Sequence, residues 1–118
     1  MNVLITGTSR GIGEAIAREF LAHGHTVTGL DRLPASIDHE RYAHVQTDVF
    51  SGELPDVPGV EILINNAGVQ NSGMDIDINL KGAIRVTEKY AFQPQIRSVL
   101  FIASASAQRS EEHTSELQ

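Results

Sequence analysis

Residues 3–13 read Val3-Leu4-Ile5-Thr6-Gly7-Thr8-Ser9-Arg10-Gly11-Ile12-Gly13, an apolar run that leads through three glycines into a segment with helical spacing. A strand that turns sharply into a helix leaves the first N–H groups of the helix unpaired and the positive end of its dipole at the turn, which favours an anion. Glycine lets the anion approach the backbone because it has no Cβ. The spacing is G-x-x-x-G-x-G and not the G-x-G-x-x-G of the general dinucleotide fingerprint, so the loop alone predicts either a phosphate site or a ligand-free turn.

The composition excludes several classes of protein. A chain of 118 residues is long enough for one domain, and its formal charge of −6 with no basic cluster argues against nucleic acid and membrane surfaces as partners. The chain has no cysteine, which excludes disulfides and thiolate metal sites. His23 and His25 have no further residue at ligand spacing, so we expect no metal. No signal peptide or membrane span is predicted, and we expect a cytoplasmic protein.

Apolar periodicity predicts alternating strands and helices. The predicted strands lie at residues 3–6, 26–30, 42–46, 60–64 and 98–103, and the predicted helices at about 12–24 and 75–90. Strands that alternate with helices indicate a parallel sheet covered on both faces, and their near-continuous apolar character is typical of such burial. In this class of fold, ligands bind beyond the carboxyl ends of the strands.

Polar residues follow each predicted strand at that same edge. The glycine-rich loop follows the first strand, and Asp31, Asp48, Asn65 and Ser104 follow the next four. Asp31 comes 18 positions after Gly13, which is the distance at which an acidic residue accepts hydrogen bonds from an adenosine ribose. These five strand ends predict one shared crevice.

The chain resembles the amino-terminal part of a short-chain dehydrogenase/reductase over residues 2–108. The motifs that carry the resemblance are Thr6-Gly7-x-x-x-Gly11-Ile12-Gly13, Asp48-Val49, Asn65-Asn66-Ala67-Gly68, Ile78-Asn79-Leu80-Lys81-Gly82 and Ile102-Ala103-Ser104, in the order of the family. The resemblance implies an α/β fold, a doubly wound parallel sheet of the Rossmann type with about five strands in the order 3-2-1-4-5, truncated before a sixth and a seventh strand.

The resemblance also implies a nicotinamide dinucleotide as cofactor. By it, the residues around the pyrophosphate would be Gly7, Ser9, Gly11, Ile12 and Gly13, and the adenosine ribose would lie at Asp31. The adenine would contact Asp48 and Val49, and the residues that line the cofactor and brace the sheet would be Asn65, Ala67 and Gly68.

The preference between NAD and NADP depends on three charged residues. Asp31 should repel the 2′-phosphate of NADP and accept from the free hydroxyls of NAD. Arg10 and Arg32 are placed where family members use a cation to hold that phosphate. We favour NAD, because a carboxylate at the ribose is the costlier mismatch for NADP.

The chemistry of the family requires a Tyr, a Lys, a Ser and an Asn. Ser104 and Asn79 match the Ser, which polarises the carbonyl, and the Asn, which holds a proton-relay water. As alternatives, Ser104 is a strand-terminating serine, with Ser106 in the catalytic role, and Asn79 is an ordinary polar helix residue. A Tyr-x-x-x-Lys is expected near position 117 and is absent, since Gln46 and Pro94 stand at the fourth place after the two tyrosines.

The resemblance therefore implies an oxidoreductase fragment whose parent transfers hydride between a nicotinamide cofactor and a small alcohol or carbonyl substrate. We expect the truncated chain itself to be inactive. The alternative is a non-catalytic, redox-sensing dinucleotide-binding module on the same fold.

The last ten residues differ from the rest of the chain. Residues 109–118, Arg-Ser-Glu-Glu-His-Thr-Ser-Glu-Leu-Gln, are polar and lack periodicity. They also match an in-frame translation of agatcggaagagcacacgtctgaactccag, which resembles a widely used sequencing-library adapter. We therefore expect the truncated Rossmann domain to comprise residues 1–108 and residues 109–118 to be a non-native or disordered tail, the alternative being a natural charged tail.

Two intervals are short for the family. Asp48 to Asn65 is 17 positions and Asn65 to Asn79 is 14, so we expect the helix after the third strand to be reduced to a turn at 55–59, and the one after the fourth to residues 69–74. Residues 99–102 should form an apolar, unpaired edge strand, which promotes self-association. The helix with Asn79 resembles one used in family dimers, so the parent is expected to be a homo-oligomer.

Overall fold

The computed structural model describes residues 1–66 and 75–102. Its elements are β1 (Asn2–Thr6), α1 (Gly11–Ala22), β2 (Thr26–Asp31), β3 (Tyr42–Gln46), β4 (Ile62–Asn65), α2 (Asp75–Tyr90) and β5 (Ser98–Phe101). All neighbouring strands are parallel, and their order is β3-β2-β1-β4-β5. The predicted fold class and strand order are confirmed.

Alternating side chains of β1 serve the two faces of the sheet. Val3 and Ile5 point to the face covered by α1, and Leu4 points to the face covered by α2, because successive side chains of a strand alternate. The buried cluster on the α1 face consists of Val3, Ile5, Ala17, Leu21, Val27, Ile37 and Ile64. The cluster on the α2 face consists of Leu4, Leu30, Val49, Val60, Leu63, Val86 and Tyr90. Burial on both faces explains why β1 and β4, in the middle of the sheet, each have three consecutive apolar residues.

Helix α1 ends where the sequence predicts. Gly24 has a φ of +87° and its N–H donates to the carbonyl of Leu21, which is a common way for a helix to terminate. Arg41, just before β3, donates through its guanidinium to the carbonyls of Leu21 and His25. The carboxyl end of α1 is thereby held against the edge of the sheet, and its amino end faces the carboxyl ends of the strands.

The connection from β3 to β4 contains no helix. Residues 47–61 form two turns, one at 49–52 and one at 58–59, which confirms the predicted reduction to a turn. Arg85 of α2 holds the first turn, since its guanidinium donates to the carbonyls of Val49 at 2.5 Å and Gly52 at 2.6 Å. The second predicted reduction, at 69–74, lies outside the described residues.

The β5 side of the sheet is open. All four residues of β5 are exposed, and Phe101 is 60% exposed, so the predicted apolar edge is confirmed. Leu80 and Ile84 of α2 and Phe92 beyond it border a groove that ends at Phe101. Within residues 1–66 and 75–102, no helix is long and apolar enough to cross a membrane, and no cluster of acidic and histidine side chains forms a candidate metal site.

Candidate functional site

The glycine-rich loop between β1 and α1 folds back on itself. Gly7 has a φ of +79° and donates its N–H to the carbonyl of Leu30 on β2 at 2.7 Å, and Gly11 has a φ of +64°. Both values lie in the left-handed region that side chains with a Cβ rarely adopt. At Gly13 the requirement is space, because a Cβ there would overlap the carbonyl oxygen of Gly7 and lie 2.5 Å from Nδ2 of Asn66. The first turn of α1 therefore packs directly against the end of β1.

The amino end of α1 is open to an incoming anion. Arg10 occupies the N-cap position in an extended conformation, and no side chain caps the helix. Arg10, Gly11 and Ile12 are exposed, and Glu14 is the acidic residue of the first turn. Uncapped N–H groups and the helix dipole make this end suitable for a phosphate.

Asp31 at the end of β2 faces the same loop. Its Oδ2 accepts from the backbone N–H of Ser9 and its Oδ1 from that of Leu33, both at 2.9 Å. The hydroxyl of Ser9 donates to the carbonyl of Pro34 at 2.8 Å, which adds a second tie between the two loops. Because a carboxylate has about four acceptor positions, Asp31 keeps capacity for further donors such as ribose hydroxyls.

Two exposed arginines flank this region. Arg10 and Arg32 are both exposed. Neither is among the ion pairs formed within residues 1–66 and 75–102, which are Arg18 with Glu14, His23 with Glu19, Arg41 with Glu40 and Lys89 with Asp56. Both cations are thus placed beside the glycine-rich loop and the ribose position without an acidic partner in the described part of the chain.

Asp48 and Val49 begin the turn after β3. Asp48 organises this turn, because its Oδ1 accepts from the N–H of Phe50 and its Oδ2 from the hydroxyl of Ser51. The side chain of Val49 is only 4% exposed and packs in the cluster on the α2 face.

Asn65 and Asn66 close the site on the β4 side. Asn65 is buried and its amide lies 3.3 Å from the hydroxyl of Thr87 on α2. The backbone N–H of Asn66 donates to Oγ1 of Thr6, and its side-chain amide donates to the carbonyl of Gly7 at 3.2 Å. The end of β4 therefore supports the glycine-rich loop from the side opposite to Asp31.

The remaining predicted residues are less fully described. Asn79 lies half-buried on α2, the helix that packs against β4. Ala67, Gly68 and Ser104 lie outside the described residues, as does the predicted tail at 109–118. The structure thus brings Gly7, Ser9, Gly13 and Asp31 together, and the relation of Asn79 to Ser104 stays a prediction.

Comparison with known proteins identifies the family. The family model for the NAD dependent epimerase/dehydratase family matches residues 3–116. The chain belongs to this family. Its resemblance to the short-chain dehydrogenases/reductases is also confirmed by the relatives and solved structures that it matches.

The family relatives are longer than this chain. Oxidoreductase UcpA of Salmonella typhimurium is 36% identical over 114 residues, which cover 72% of this chain and 43% of the relative. The 3-ketoacyl-(acyl-carrier-protein) reductase of Brucella melitensis, complexed with NADH, superposes with a TM-score of 0.71 at 24% identity, over 92% of this chain and 59% of that one. Serine dehydrogenase complexed with NADP+ superposes with a TM-score of 0.72 at 24% identity, over 99% of this chain and 63% of that one. The chain therefore spans less than half the length of UcpA. The reductase and serine dehydrogenase structures share the fold of this chain.

The structure adds three residues that the family motifs do not contain. Thr8 is fully buried in the glycine-rich loop and its Oγ1 lies 2.7 Å from the hydroxyl of Tyr42, which in turn lies 2.7 Å from Nδ1 of His44. Both ring nitrogens of His44 are hydrogen-bonded, since Nδ1 contacts the hydroxyl of Tyr42 and Nε2 contacts the carbonyl of Leu33. The only signal in the sequence is the spacing of Tyr42 and His44, which places them on one face of β3.

Burial changes the acidity of this phenol. Loss of hydration raises the pKa of Tyr42, the charges of Asp31 and Glu14 raise it further, and the hydrogen bond with Thr8 opposes the change. Tyr42 is therefore a neutral hydrogen-bonding group at physiological pH.

Proposed function

We propose that the chain binds a nicotinamide dinucleotide across the carboxyl ends of β1, β2 and β3. The observation that carries the proposal is the pairing of an uncapped α1 amino terminus with the carboxylate of Asp31 on the other side of one loop. The first matches a pyrophosphate and the second a ribose with free hydroxyls. The close approach at Gly13 supports the fit, since a side chain there would overlap Gly7 and push the loop away from the helix.

The proposed preference is for NAD over NADP. Asp31 presents a negative charge to the 2′ position, which repels a phosphate and accepts from a hydroxyl. Arg10 and Arg32 act in the other direction, since both are exposed cations close to the same loop. The carboxylate prevails because it is held in place by two backbone N–H groups, whereas the arginine side chains are solvated.

The proposed activity of the parent protein is hydride transfer between the cofactor and an alcohol or carbonyl group. The cofactor supplies the hydride acceptor or donor. In this proposal Ser104 polarises the carbonyl oxygen and Asn79 holds a water that carries protons. The 118 residues contain no Tyr-x-x-x-Lys, so we propose that this chain binds the cofactor without turning it over.

Titration of the 118-residue chain with NADH and NADPH tests the proposal. Fluorescence of the reduced nicotinamide should report saturable binding, with NADH bound more tightly than NADPH. In Asp31→Ala the preference for NADH should disappear, whereas Asp38→Ala, which removes an exposed carboxylate later in the same loop, should leave it unchanged. Absence of binding to both cofactors contradicts the proposed site, and tighter binding of NADPH by the unaltered chain contradicts the preference.

A non-catalytic, redox-sensing module on the same fold is the second candidate. Sequencing the parent locus separates the two. A reading frame that continues past Gln108 into Tyr-x-x-x-Lys supports the enzyme and a non-native tail at 109–118. A genuine stop codon after Gln118 contradicts both of these and supports a non-catalytic binding module.

A further inference from the structure

A chain of side-chain hydrogen bonds joins the two loops that flank Asp31. It begins at Thr8 in the glycine-rich loop, continues through Tyr42 and His44 on β3, and ends at the carbonyl of Leu33 in the loop after β2. The successive distances are 2.7 Å, 2.7 Å and 2.9 Å. Thr8 is fully buried, and Tyr42 and His44 are partly buried.

The chemistry of the last contact determines the direction of the chain. The carbonyl of Leu33 only accepts, so Nε2 of His44 carries a proton. In the neutral ring Nδ1 must then accept from the hydroxyl of Tyr42, whose oxygen accepts from the hydroxyl of Thr8. Every member has a partner in this arrangement, and removal of the Tyr42 hydroxyl takes the partner of the Thr8 hydroxyl and that of Nδ1 of His44, while Nε2 of His44 keeps the carbonyl of Leu33.

Gly29 in the middle of β2 leaves space for this chain. A Cβ at that position would overlap both Oη of Tyr42 and Oγ1 of Thr8. Glycine in a strand interior lowers stability and often marks a close approach of neighbouring groups. Here the close approach is the contact between the glycine-rich loop and β3.

The same two loops hold the carboxylate of Asp31. Leu33 is bound through both of its backbone polar groups, with its N–H donating to Asp31 and its carbonyl accepting from His44. Ser9, which follows Thr8 directly, donates its N–H to the other oxygen of Asp31. The hydrogen-bonded chain therefore fixes both groups that orient the carboxylate.

We propose that Tyr42 and His44 are positioning residues for the adenosine half of a nicotinamide dinucleotide, acting through Thr8 and Leu33 on Asp31. The inference rests on the proposed cofactor site and names two residues of β3 that serve it without contact with the cofactor. Preorganised hydrogen-bond acceptors increase affinity because less ordering remains to be done on binding.

Tyr42→Phe tests the inference by removing one hydroxyl and keeping the ring. ADP-ribose, which lacks the nicotinamide, is titrated calorimetrically into the 118-residue chain, and NADH is titrated by fluorescence. We expect both ligands to bind about tenfold more weakly, because the buried Thr8 and the partly buried His44 each lose a hydrogen bond.

Tyr90→Phe is the matched control. Its hydroxyl donates to the carbonyl of Pro55 on the α2 side of the sheet, away from Asp31. This variant should bind both ligands within about twofold of the unaltered chain, although it loses a buried hydrogen bond of the same type.

A pair of substitutions at His44 distinguishes positioning from packing. His44→Gln keeps one acceptor and one donor, so it should restore affinity to within about threefold, whereas His44→Phe keeps the ring and should lose about tenfold. If Tyr42→Phe does not melt cooperatively, the difference in affinity between His44→Gln and His44→Phe tests the positioning role in its place.

A spectroscopic signature is available because the chain has two tyrosines and no tryptophan. In Tyr90→Phe the near-ultraviolet absorbance reports Tyr42 alone, and ADP-ribose should shift it. Unchanged affinity in folded Tyr42→Phe, or equal affinity in the two His44 variants, overturns the positioning role and leaves the proposed function intact. If the unaltered chain binds neither ligand, the proposed function and this inference both fail.

Discussion

Two regions of the molecule differ in how many of their polar groups and how much of their apolar surface are covered by contacts within the chain. On one side, the β1–β3 end, comprising the loops at 7–11, 31–34 and 47–52, is tied together by side-chain and backbone hydrogen bonds. On the other side, the α2–β5 surface, comprising Leu80, Ile84, Phe92 and Phe101, is apolar and exposed. The polar groups of the first region are hydrogen-bonded within the chain, whereas the apolar side chains of the second are exposed.

This difference indicates which part of the function the chain carries. A binding site that is held by local hydrogen bonds needs little from elsewhere, since its carboxylate and its helix terminus are already oriented. An exposed apolar edge, in contrast, needs a neighbour to cover it. We therefore expect substitutions at the β1–β3 end to alter cofactor affinity, and substitutions at the α2–β5 surface to alter self-association.

Gly13→Ala should have the largest effect. Its Cβ would overlap the carbonyl of Gly7, so the first turn of α1 and the end of β1 must move apart. We expect the free energy of unfolding to fall by about 3 kcal/mol and cofactor binding to become undetectable. Urea denaturation and NADH titration measure the two effects.

Gly24→Ala is the matched control for this prediction. Gly24 follows the carboxyl end of α1, has a φ of +87° and has no atom within 4 Å of the added Cβ. The substitution should cost about 1 kcal/mol in backbone strain and leave affinity unchanged. Equal losses of affinity in the two variants would show that helix stability, and not the packing of Gly13 on Gly7, determines binding.

Phe101→Lys tests the α2–β5 surface. We expect the unaltered chain to self-associate at micromolar concentrations, and the lysine to shift the sedimentation profile toward the monomer, because a charge on an edge strand opposes strand pairing. Phe92→Lys places the same charge in the same groove but outside β5. A soluble monomer in the unaltered chain, or equal effects of the two lysines, would contradict pairing through the β5 edge.

The sequence predicts the architecture well because its signals are local. The end of α1 at Gly24 and the bounds of α2 follow from apolar periodicity and from turn residues, whereas the strand order follows from the resemblance to the family. Asp31 could be placed at the glycine-rich loop because parallel strands end at one edge of the sheet.

The rest of the site depends on contacts between distant residues. Thr8 and Tyr42 are 34 positions apart, and an alternating Tyr and His on a strand reads equally well as an exposed edge. Similarly, nothing in the motif Asp48-Val49 shows that the side chain of Val49 faces the core while its carbonyl accepts from Arg85, 36 positions later. Such partners become visible only when the loops are placed in space.

Arg85→Lys should have the third largest effect, and it tests the link between the two sides. The guanidinium of Arg85 reaches from α2 to two carbonyls of the turn after β3. A lysine supplies one compact charge and cannot reproduce both contacts. We expect the free energy of unfolding to fall by about 1.5 kcal/mol in urea denaturation.

Arg18→Lys is the corresponding control. Arg18 is an exposed residue of α1 that pairs with Glu14 one turn earlier and donates to the carbonyl of Ser36, and because both contacts are exposed its replacement should change stability by less than about 0.5 kcal/mol. If Arg85→Lys lowers the free energy of unfolding as little as Arg18→Lys, the two hydrogen bonds from Arg85 to the turn after β3 do not hold α2 to the β1–β3 end.

Substitution of Tyr90 should have the smallest effect on stability. It allows a tyrosine on the α2 side of the sheet to be compared with Tyr42 on β3. Burial raises the pKa of Tyr90 to about 12, with the charge of Asp56 adding to the change. The folded state thus keeps the proton between about pH 10, where a free phenol ionises, and pH 12. In that interval the folded state binds more protons than the unfolded state, so stability is fully present below pH 10 and falls as the pH rises toward 12.

Tyr90→Phe should remove this dependence and lower the free energy of unfolding at pH 7 by about 1 kcal/mol, because the hydroxyl no longer donates to Pro55. Urea denaturation at pH 7 and at pH 10.5 measures both the loss of stability at pH 7 and its dependence on pH, with Tyr42→Phe measured in parallel. A loss of stability between these pH values that is as steep in Tyr90→Phe as in the unaltered chain would assign the alkaline sensitivity to other groups.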